Sequence, residues 1–307
     1  MKKFAKVIAG IAAPLFLVGA VMTGVGWYMG ADTYIEVPLG KEHIRVSWDG
    51  VRFSGWNHRQ EVASMEENMD LSPFTSLAVE VSAGDVIVTP GEYYGIRLHS
   101  GSCELQYSVE SGVLKVWDNR PEGMTAQEKG GRVEIFLPDG EALSDADIVS
   151  GMGSLTLESL KADNLTARAD LGEVTASGLQ VGSAVLTLNC GGLQLTGIEA
   201  VALEAELSMG CMTATGMSVT DRLTVTNNMG TVSLEGELGE TVSVKADMGD
   251  ISVTSARAEQ WYGYGLNTDM GKVTVNGQNC GTSISKEGER GTMELCSSMG
   301  DVSVRFT

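Results

Sequence analysis

The feature that most constrains the fold of this chain is a short motif that returns about every 19 residues. In its commonest form it reads Met-Gly-x-Val-Ser/Thr-Val, as in NNMGTVSLEG at 227–236 and ADMGDISVTS at 246–255. A period of this length is typical of solenoids, in which each repeat forms one coil and the coils stack edge to edge. The marker glycines are separated by 19, 19, 19, 20, 19, 22 and 29 residues and are Gly153, Gly172, Gly191, Gly210, Gly230, Gly249, Gly271 and Gly300, with Gly84 as an outlying copy.

Alternating apolar and polar residues on both sides of each glycine predict two β-strands per repeat. The residues two and four positions after the glycine are apolar, and Ser or Thr usually lies between them. At about 3.3 Å per residue, 19 residues give a perimeter of roughly 60 Å, which fits one coil of a narrow β-helix. Glycine is expected at the corner because it accepts positive φ. The first inward column after the glycine is Leu155, Val174, Leu193, Met212, Val232, Ile251, Val273 and Val302.

We therefore predict an all-β fold, a single-stranded parallel β-solenoid (β-helix) with coils of ~19 residues. Successive coils would pair about 4.8 Å apart, so that each column of side chains becomes a ladder. We expect the right-handed form because crossovers between parallel strands are overwhelmingly right-handed. A repeat strand runs up to Thr307, and this end is predicted to be an exposed edge, covered by a partner or by end-to-end association with a second copy. The insertion at 286–291 predicts a loop that leaves the stack.

The residue immediately before the glycine is methionine in most copies, but Leu171 and Cys190 replace it in two. A core position tolerates this exchange because Met, Leu and Cys are all apolar and adaptable. We therefore predict that this column packs in the core. The alternative is a ladder of soft sulfur ligands for copper(I). The column consists of Met152, Leu171, Cys190, Met209, Met229, Met248, Met270 and Met299.

The N-terminal segment predicts a membrane anchor. Lys2, Lys3 and Lys6 precede an uncharged run that ends at Ala31, and this run is long enough to span roughly 30 Å of hydrocarbon. The positive-inside rule places the N-terminus in the cytoplasm and the bulk of the chain outside. The alternative is a cleaved signal peptide, whose apolar region should be shorter and followed by a small-x-small cleavage site.

Four segments are predicted along the chain. They are a cytoplasmic basic stub at 1–6, a single transmembrane anchor at 7–31, a juxtamembrane connector at 32–73 and the β-solenoid domain at 74–307, most regular at 150–277. The connector contains short alternating stretches that predict a small hairpin.

The composition is strongly acidic, with 40 Asp and Glu against 21 Lys and Arg and a net charge of -19. Nucleic acid is not expected as a partner, because phosphate contacts need clustered Lys and Arg. Three histidines are too few for a histidine-rich metal site. The five cysteines form no CxxC and are odd in number, so we expect them to act mainly as small core residues and not as a disulfide framework.

The motifs of common enzymes are missing from the sequence, including the nucleophile elbow, HExxH, the phosphate loop and the dinucleotide glycine motif. We therefore predict no enzymatic activity, no catalytic residues and no cofactor. Paired carboxylates at the corners are a weak candidate site, either for calcium or for acid–base chemistry. Alternatively, they form a solvated edge that discourages aggregation. These carboxylates are Asp170, Glu173, Asp247, Asp250, Asp269 and Asp301.

Several blocks of sequence resemble the bacterial toast-rack family, also called the "putative adhesin" family. SPFTSLAVEVSAGDVIVTPGE is followed by VESGVLKVW, by VEIFLPDG and then by serial MGxVTV units, so the similarity covers 74–307. The lysine-led anchor is likewise similar to that of membrane-bound members in Gram-positive bacteria. The resemblance implies a β-helical domain outside the membrane and an association with envelope-stress systems of the phage-shock and Lia type. It implies no catalytic residues.

On these grounds we expect a non-enzymatic binding or scaffold module, anchored in the cell membrane, that acts in envelope homeostasis or envelope-stress sensing. Its expected partners are membrane or envelope proteins. The alternative is a surface adhesin that binds glycans or other cells, which rows of exposed aromatic side chains would favour. Aromatic residues make up 6% of the chain and cluster at 27–56 and 261–264. A polysaccharide-cleaving enzyme is a third hypothesis, but analogy between folds does not establish it.

Overall fold

The computed structural model divides the chain into two units, Met1–Gln60 and Glu61–Thr307, which are described separately. The described residues are 34–39, 42–47, 50–54, 65–68, 70–101, 103–119 and 130–307. The predicted anchor at 7–31 lies outside them. Within them, no helix is long and apolar enough to cross a membrane.

The first unit contains a three-stranded antiparallel sheet. Its strands follow one another along the chain as β1 (Tyr34–Leu39), β2 (Glu42–Ser47) and β3 (Gly50–Ser54). β2 lies in the middle and pairs with both neighbours. The small hairpin predicted in the connector is thus confirmed and is extended by a third strand.

The described residues of the second unit form an all-β structure, and their strands make one continuous 23-stranded sheet. A single turn of 3-10 helix at Glu259–Trp261 is the exception among its described residues. The strands are β4 (Met65–Asn68), β5 (Ser76–Gly91), β6 (Gly95–His99), β7 (Glu104–Glu110), β8 (Val113–Asn119), β9 (Gly131–Pro138), β10 (Leu143–Met152), β11 (Leu155–Glu158), β12 (Lys161–Leu171), β13 (Val174–Ser177), β14 (Gln180–Cys190), β15 (Leu193–Thr196), β16 (Glu199–Met209), β17 (Met212–Met229), β18 (Val232–Leu238), β19 (Thr241–Met248), β20 (Ile251–Ser255), β21 (Tyr262–Met270), β22 (Val273–Val275), β23 (Gln278–Asn279), β24 (Ser283–Lys286), β25 (Gly291–Met299) and β26 (Val302–Phe306).

Each regular coil consists of a long strand, a glycine corner and a short strand. The long strands β10, β12, β14 and β16 pair in parallel and in register, as do the short strands β11, β13 and β15. β17 supplies the short strand of one coil and the long strand of the next. The inward column predicted after the glycine is 0–1% exposed throughout. The parallel β-solenoid is therefore confirmed, with burial of these apolar ladders as its main stabilising contribution.

The last coil in the chain is not the last coil of the stack. Its strands β25 and β26 pair with β19 and β20 on one side and with β21 and β22 on the other. The coil at 262–275 therefore forms the end, and β24 and β23 pair with it antiparallel. The prediction of an exposed edge beside Thr307 is wrong, because the final strands lie inside the stack. The backbone N–H of Thr307 donates to the carbonyl oxygen of Ser255 at 3.1 Å.

At the other end of the stack, too, the order of the strands differs from their order along the chain. β5 pairs in parallel with β10 and β11 on one side and with β8 and β9 on the other. β7 then pairs antiparallel with β8, while β6 and β4 add antiparallel strands beside β9. In the described residues, antiparallel strands of the same chain thus cover both ends. This covering blunts the open edges that template association with other chains.

The aromatic residues at 261–264 close the core of the end coil and do not form an exposed row. Tyr262 is fully buried, and its Oη donates a hydrogen bond to the carbonyl oxygen of Gly239 at 2.7 Å. Tyr264 is also buried and stacks on Phe306, with the ring centroids 5.7 Å apart. Gly239 and Phe306 belong to coils further inside the stack, so these rings pack into its core.

Tyr264 is expected to make this end of the stack sensitive to alkaline pH. Its Oη donates to Glu259 Oε1 at 2.9 Å, and Lys286 Nζ lies 2.6 Å from the same oxygen. Burial, followed by the hydrogen bond to Glu259 and the charge of that carboxylate, raises the pKa of Tyr264 to about 12. The native state therefore keeps this proton at a pH where the unfolded chain, with a pKa of about 10, has lost it. Stability from this group is complete below about pH 10 and is lost as the pH rises through about 12.

Urea unfolding of wild type and Tyr264→Phe between about pH 8 and pH 12 tests this expectation. The variant should lose less stability over the interval. A residual dependence should persist, because burial also raises the pKa of Tyr262. Equal alkaline losses in both proteins would show that Tyr264 does not titrate as described.

Candidate functional site

The corners of the coils stack into one continuous column of glycines. At Gly191, where φ is +146°, an added Cβ would overlap the carbonyl oxygen of Gly172 in the preceding coil. Gly131 pairs with Gly84 and extends the column, a copy that the pattern did not reveal because Gly130 stands in the methionine position. In stack order the column is Gly131, Gly84, Gly153, Gly172, Gly191, Gly210, Gly230, Gly249, Gly300 and Gly271.

The side chains immediately before the repeat glycines form an exposed column. Six of the eight have exposed fractions between 39% and 65%, and Met152 and Cys190 are half-buried. The prediction that this column packs in the core is therefore wrong. We name it the corner column, and in stack order it is Met152, Leu171, Cys190, Met209, Met229, Met248, Met299 and Met270.

The corner breaks the two-residue alternation on which the core prediction depended. In the coil of β16, Leu207 is the last buried residue before the corner and Met212 is the first after it. These positions are five residues apart, and an odd separation between two inward residues means that alternation fails between them. Ser208 is half-buried and Met209 is exposed as a result. The odd separation is the signal in the sequence that could have identified the exposed column.

Six neighbouring rungs of the corner column carry sulfur. Met299 lies between Met248 and Met270 because the last coil of the chain is inserted before the coil at 262–275. Neighbouring rungs are about 4.8 Å apart, so the five steps extend over about 24 Å. We name these rungs the sulfur run; they are Cys190, Met209, Met229, Met248, Met299 and Met270.

Two of the predicted carboxylates cap the backbone of the neighbouring coil. Asp250 Oδ1 accepts a hydrogen bond from the backbone N–H of Asp301 at 2.8 Å. Asp301 Oδ1 in turn accepts from the backbone N–H of Lys272 at 3.0 Å, and Lys272 Nζ lies 3.3 Å from Asp301 Oδ2. An acidic residue after the corner glycine therefore satisfies an N–H group that strand pairing leaves free.

The carboxylates of the β12–β13 coil bind side chains of the next coil. Asp170 Oδ1 accepts from Asn189 Nδ2 at 2.7 Å, and Glu173 Oε1 accepts from Gln194 Nε2 at 2.6 Å. This coil lies four coils away from the coil of β19 and β20. These two residues are thus separate from the other four candidates.

Asp247 and Asp269 are exposed, each one residue before a methionine of the sulfur run. The structure therefore brings four candidates, Asp247, Asp250, Asp269 and Asp301, to the same end of the stack. In the part of the chain that the structure describes, no three His, Cys, Asp or Glu side chains are grouped so that they could hold a metal ion. The six candidates therefore lie in two separate groups along the stack.

Buried polar side chains behind the corner hold the glycine carbonyls in place. Asn227 Nδ2 donates to the carbonyl oxygens of Gly210 and Gly230, both at 3.0 Å. Thr268 Oγ1 donates to the carbonyl oxygen of Gly300 at 2.7 Å. Because these carbonyls are satisfied inside the core, the corner backbone is a fixed frame from which the corner column projects.

A shallow groove beside β21, β24 and β25 contains the partly buried Cys296. Burial, followed by the negative charge of Glu294, raises the pKa of the Cys296 thiol. A reactive cysteine needs the opposite, an electropositive environment that lowers the pKa. The groove therefore offers no activated thiolate.

The family model described as Toastrack DUF4097 matches residues 20–238, more than two thirds of the chain. The chain belongs to the Toastrack family. This membership confirms the resemblance seen in the sequence. No curated protein matches this Toastrack chain.

Three crystal structures illustrate the similarity of the Toastrack chain to solved proteins. A "putative adhesin" from Bacteroides fragilis is 13% identical, with a TM-score of 0.39, covering 80% of this chain and 96% of its own. A "putative adhesin" from Parabacteroides merdae is 12% identical, with a TM-score of 0.34 and coverages of 80% and 95%. A "putative lipid binding protein" from Parabacteroides distasonis is 13% identical, with a TM-score of 0.40 and coverages of 80% and 98%.

Proposed function

We propose that this Toastrack protein is a non-enzymatic binding and scaffold module, displayed outside the cell membrane, that recruits membrane or envelope proteins in envelope homeostasis or envelope-stress sensing. The observation that carries the proposal is the exposed corner column. Its eight rungs, about 4.8 Å apart, extend over about 34 Å. Exposed apolar surface of this continuity marks interaction sites, and methionine adapts to differently shaped partners because its side chain is unbranched and polarizable.

The charge of the chain favours a protein partner over a lipid surface. Three basic residues lie in the stub that precedes the proposed anchor, which leaves 18 basic and 40 acidic residues, a net of -22, for the remainder. A domain with this charge is repelled by an anionic envelope. The anchor would hold the domain close to the membrane, and the corner column would then contact integral membrane proteins.

Crosslinking in intact cells, with mass spectrometry of the captured proteins, tests the proposal. We expect a small set of integral membrane proteins, enriched under envelope stress. The double variant Met229→Glu/Met248→Glu should reduce their capture at least tenfold because it places charge on the docking surface. Its stability should fall by no more than about 1 kcal/mol, since both side chains are exposed and the cost is the repulsion between two carboxylates on neighbouring rungs.

The matched control is Thr226→Glu/Thr241→Glu, which adds the same charge at exposed positions of the same two strands, outside the corner column. The control should retain capture. If Met229→Glu/Met248→Glu captures these proteins as well as wild type does, the corner column is not the docking surface. Capture of only glycans, wall polymer or surfaces of other cells would replace the scaffold with the adhesin alternative.

A further inference from the structure

The sulfur run is assembled by the fold and does not exist as a run in the sequence. Met299 is 51 residues after Met248, yet the two are direct neighbours in register, and Met270 is the next rung. At the other end of the run, Cys190 is the neighbour of Met209. Six adjacent sulfur atoms thus come from six different coils.

Core packing does not explain why these positions carry sulfur, because the five methionines are 39–65% exposed. Exposed strand positions favour polar, β-branched or aromatic residues, and methionine is none of these. The corner position also accepts an apolar residue without sulfur, as Leu171 shows immediately outside the run. Sulfur is the property that all six rungs share.

Thioether and thiol groups select soft cations, copper(I) above all. A metal–sulfur bond is roughly 2.3 Å long, so two sulfur atoms on opposite sides of one ion are separated by about the distance between neighbouring rungs, about 4.8 Å. The three rotatable bonds of each methionine allow a third sulfur atom to approach the same ion. The ladder therefore has the right donor atoms at a suitable spacing.

The surrounding charges favour a cation. Asp247 and Asp269 precede two methionines of the run, and Asp250 and Asp301 follow two of the corner glycines. Two basic residues lie close to them: Lys272 pairs with Asp301, and Lys245 is two residues before Asp247, so the acidic residues still outnumber the basic ones. The carboxylates are hard ligands that do not compete for a soft ion, but their field raises its local concentration.

We propose that the sulfur run binds copper(I), or its soft analogue silver(I), through neighbouring thioether groups, with the Cys190 thiol as an additional ligand at one end. The ions lie along the corner column, each between adjacent rungs. Cys211 is exposed two residues after Met209 and provides a second thiol near that end. The sulfur run is part of the docking surface proposed above, but the copper(I) proposal does not rest on the docking proposal.

Anaerobic titration of the full-length protein in detergent with copper(I), with ascorbate as reductant and bicinchoninate as the competing chromophore, tests the proposal. We expect the triple variant Met229→Leu/Met248→Leu/Met299→Leu to bind copper(I) at least tenfold more weakly than wild type. Leucine conserves volume and apolar character, so the fold and the capture of protein partners should both persist. X-ray absorption of the wild-type complex should show sulfur neighbours at roughly 2.3 Å.

Met152→Leu is the matched control, because Leu171 separates Met152 from the run, and it should bind copper(I) like wild type. Equal affinity in the triple variant would overturn the proposal. Loss of all binding after alkylation of the cysteines, with the triple variant unaffected, would also overturn it, since thiols alone would then be the site. Loss of partner capture in the glutamate variant has no bearing on this outcome, so the two proposals fail separately.

Discussion

Gly191→Ala is expected to lower the free energy of unfolding by about 3–5 kcal/mol. The new Cβ would overlap the carbonyl oxygen of Gly172. That oxygen belongs to the backbone and cannot move aside without disturbing the in-register pairing of β12 with β14. The φ of +146° adds strain for any residue with a Cβ. Urea unfolding of the purified full-length protein measures the loss.

Gly265→Ala is the matched control for the corner substitution. Gly265 lies inside β21, where no heavy atom comes within 4 Å of the position of its Cβ and its φ is outside the left-handed region. We expect its stability to change by less than about 1 kcal/mol. If Gly191→Ala and Gly265→Ala unfold at the same urea concentration, the corner tolerates a Cβ and does not require glycine.

Deletion of residues 291–307 is expected to release the coil at 262–275 from the stack as well. In the described residues, β21 pairs with β25 and β24, and β22 pairs with β26 and β23, so neither strand pairs with the coil of β19 and β20. An isolated coil with one hairpin cannot bury its inward face. Hydrogen exchange should show at least tenfold faster exchange of the amides at 262–275 in the truncated protein.

Amides of β12 and β14 provide the internal control for this deletion. Stability in a solenoid is carried by contacts between nearest neighbours, so strands several coils away should keep their protection. A stack that followed chain order would instead keep the coil at 262–275 paired to the coil of β19 and β20. Undiminished protection of 262–275 after the deletion would therefore contradict the observed order.

Local features of the sequence predicted the coil and its core correctly. Leu155, Val174 and Leu193 were assigned inward positions from alternation alone, and each is at most 1% exposed. Gly84 was recognised as an outlying copy and lies in the column of glycines at the corners. Such features are predictable because side-chain direction in a strand depends on position along the same strand.

The candidate site was predicted less well. The methionines were assigned to the core because methionine, leucine and cysteine exchange there, and this exchange cannot distinguish a core position from an exposed apolar one. The carboxylates were identified as corner residues, which is correct for Asp250 and Asp301. Their hydrogen bonds to the neighbouring backbone could not be predicted, because the partners of Asp250 and Asp301 lie 51 and 29 residues away in the chain.

The sequence by itself determined the length of the coil, its glycine corner and its inward residues, because each depends on alternation and φ within about 19 residues. The order of the coils was decided only by the tertiary structure. Every coil presents the same kind of parallel edge. The sequence pattern of β19 therefore allows it to pair with β21 as well as with β25. β23 and β24 pair antiparallel with one edge of the coil at 262–275 and leave its other edge for the last coil. That choice of edge places Met299 between Met248 and Met270 and makes the sulfur run continuous.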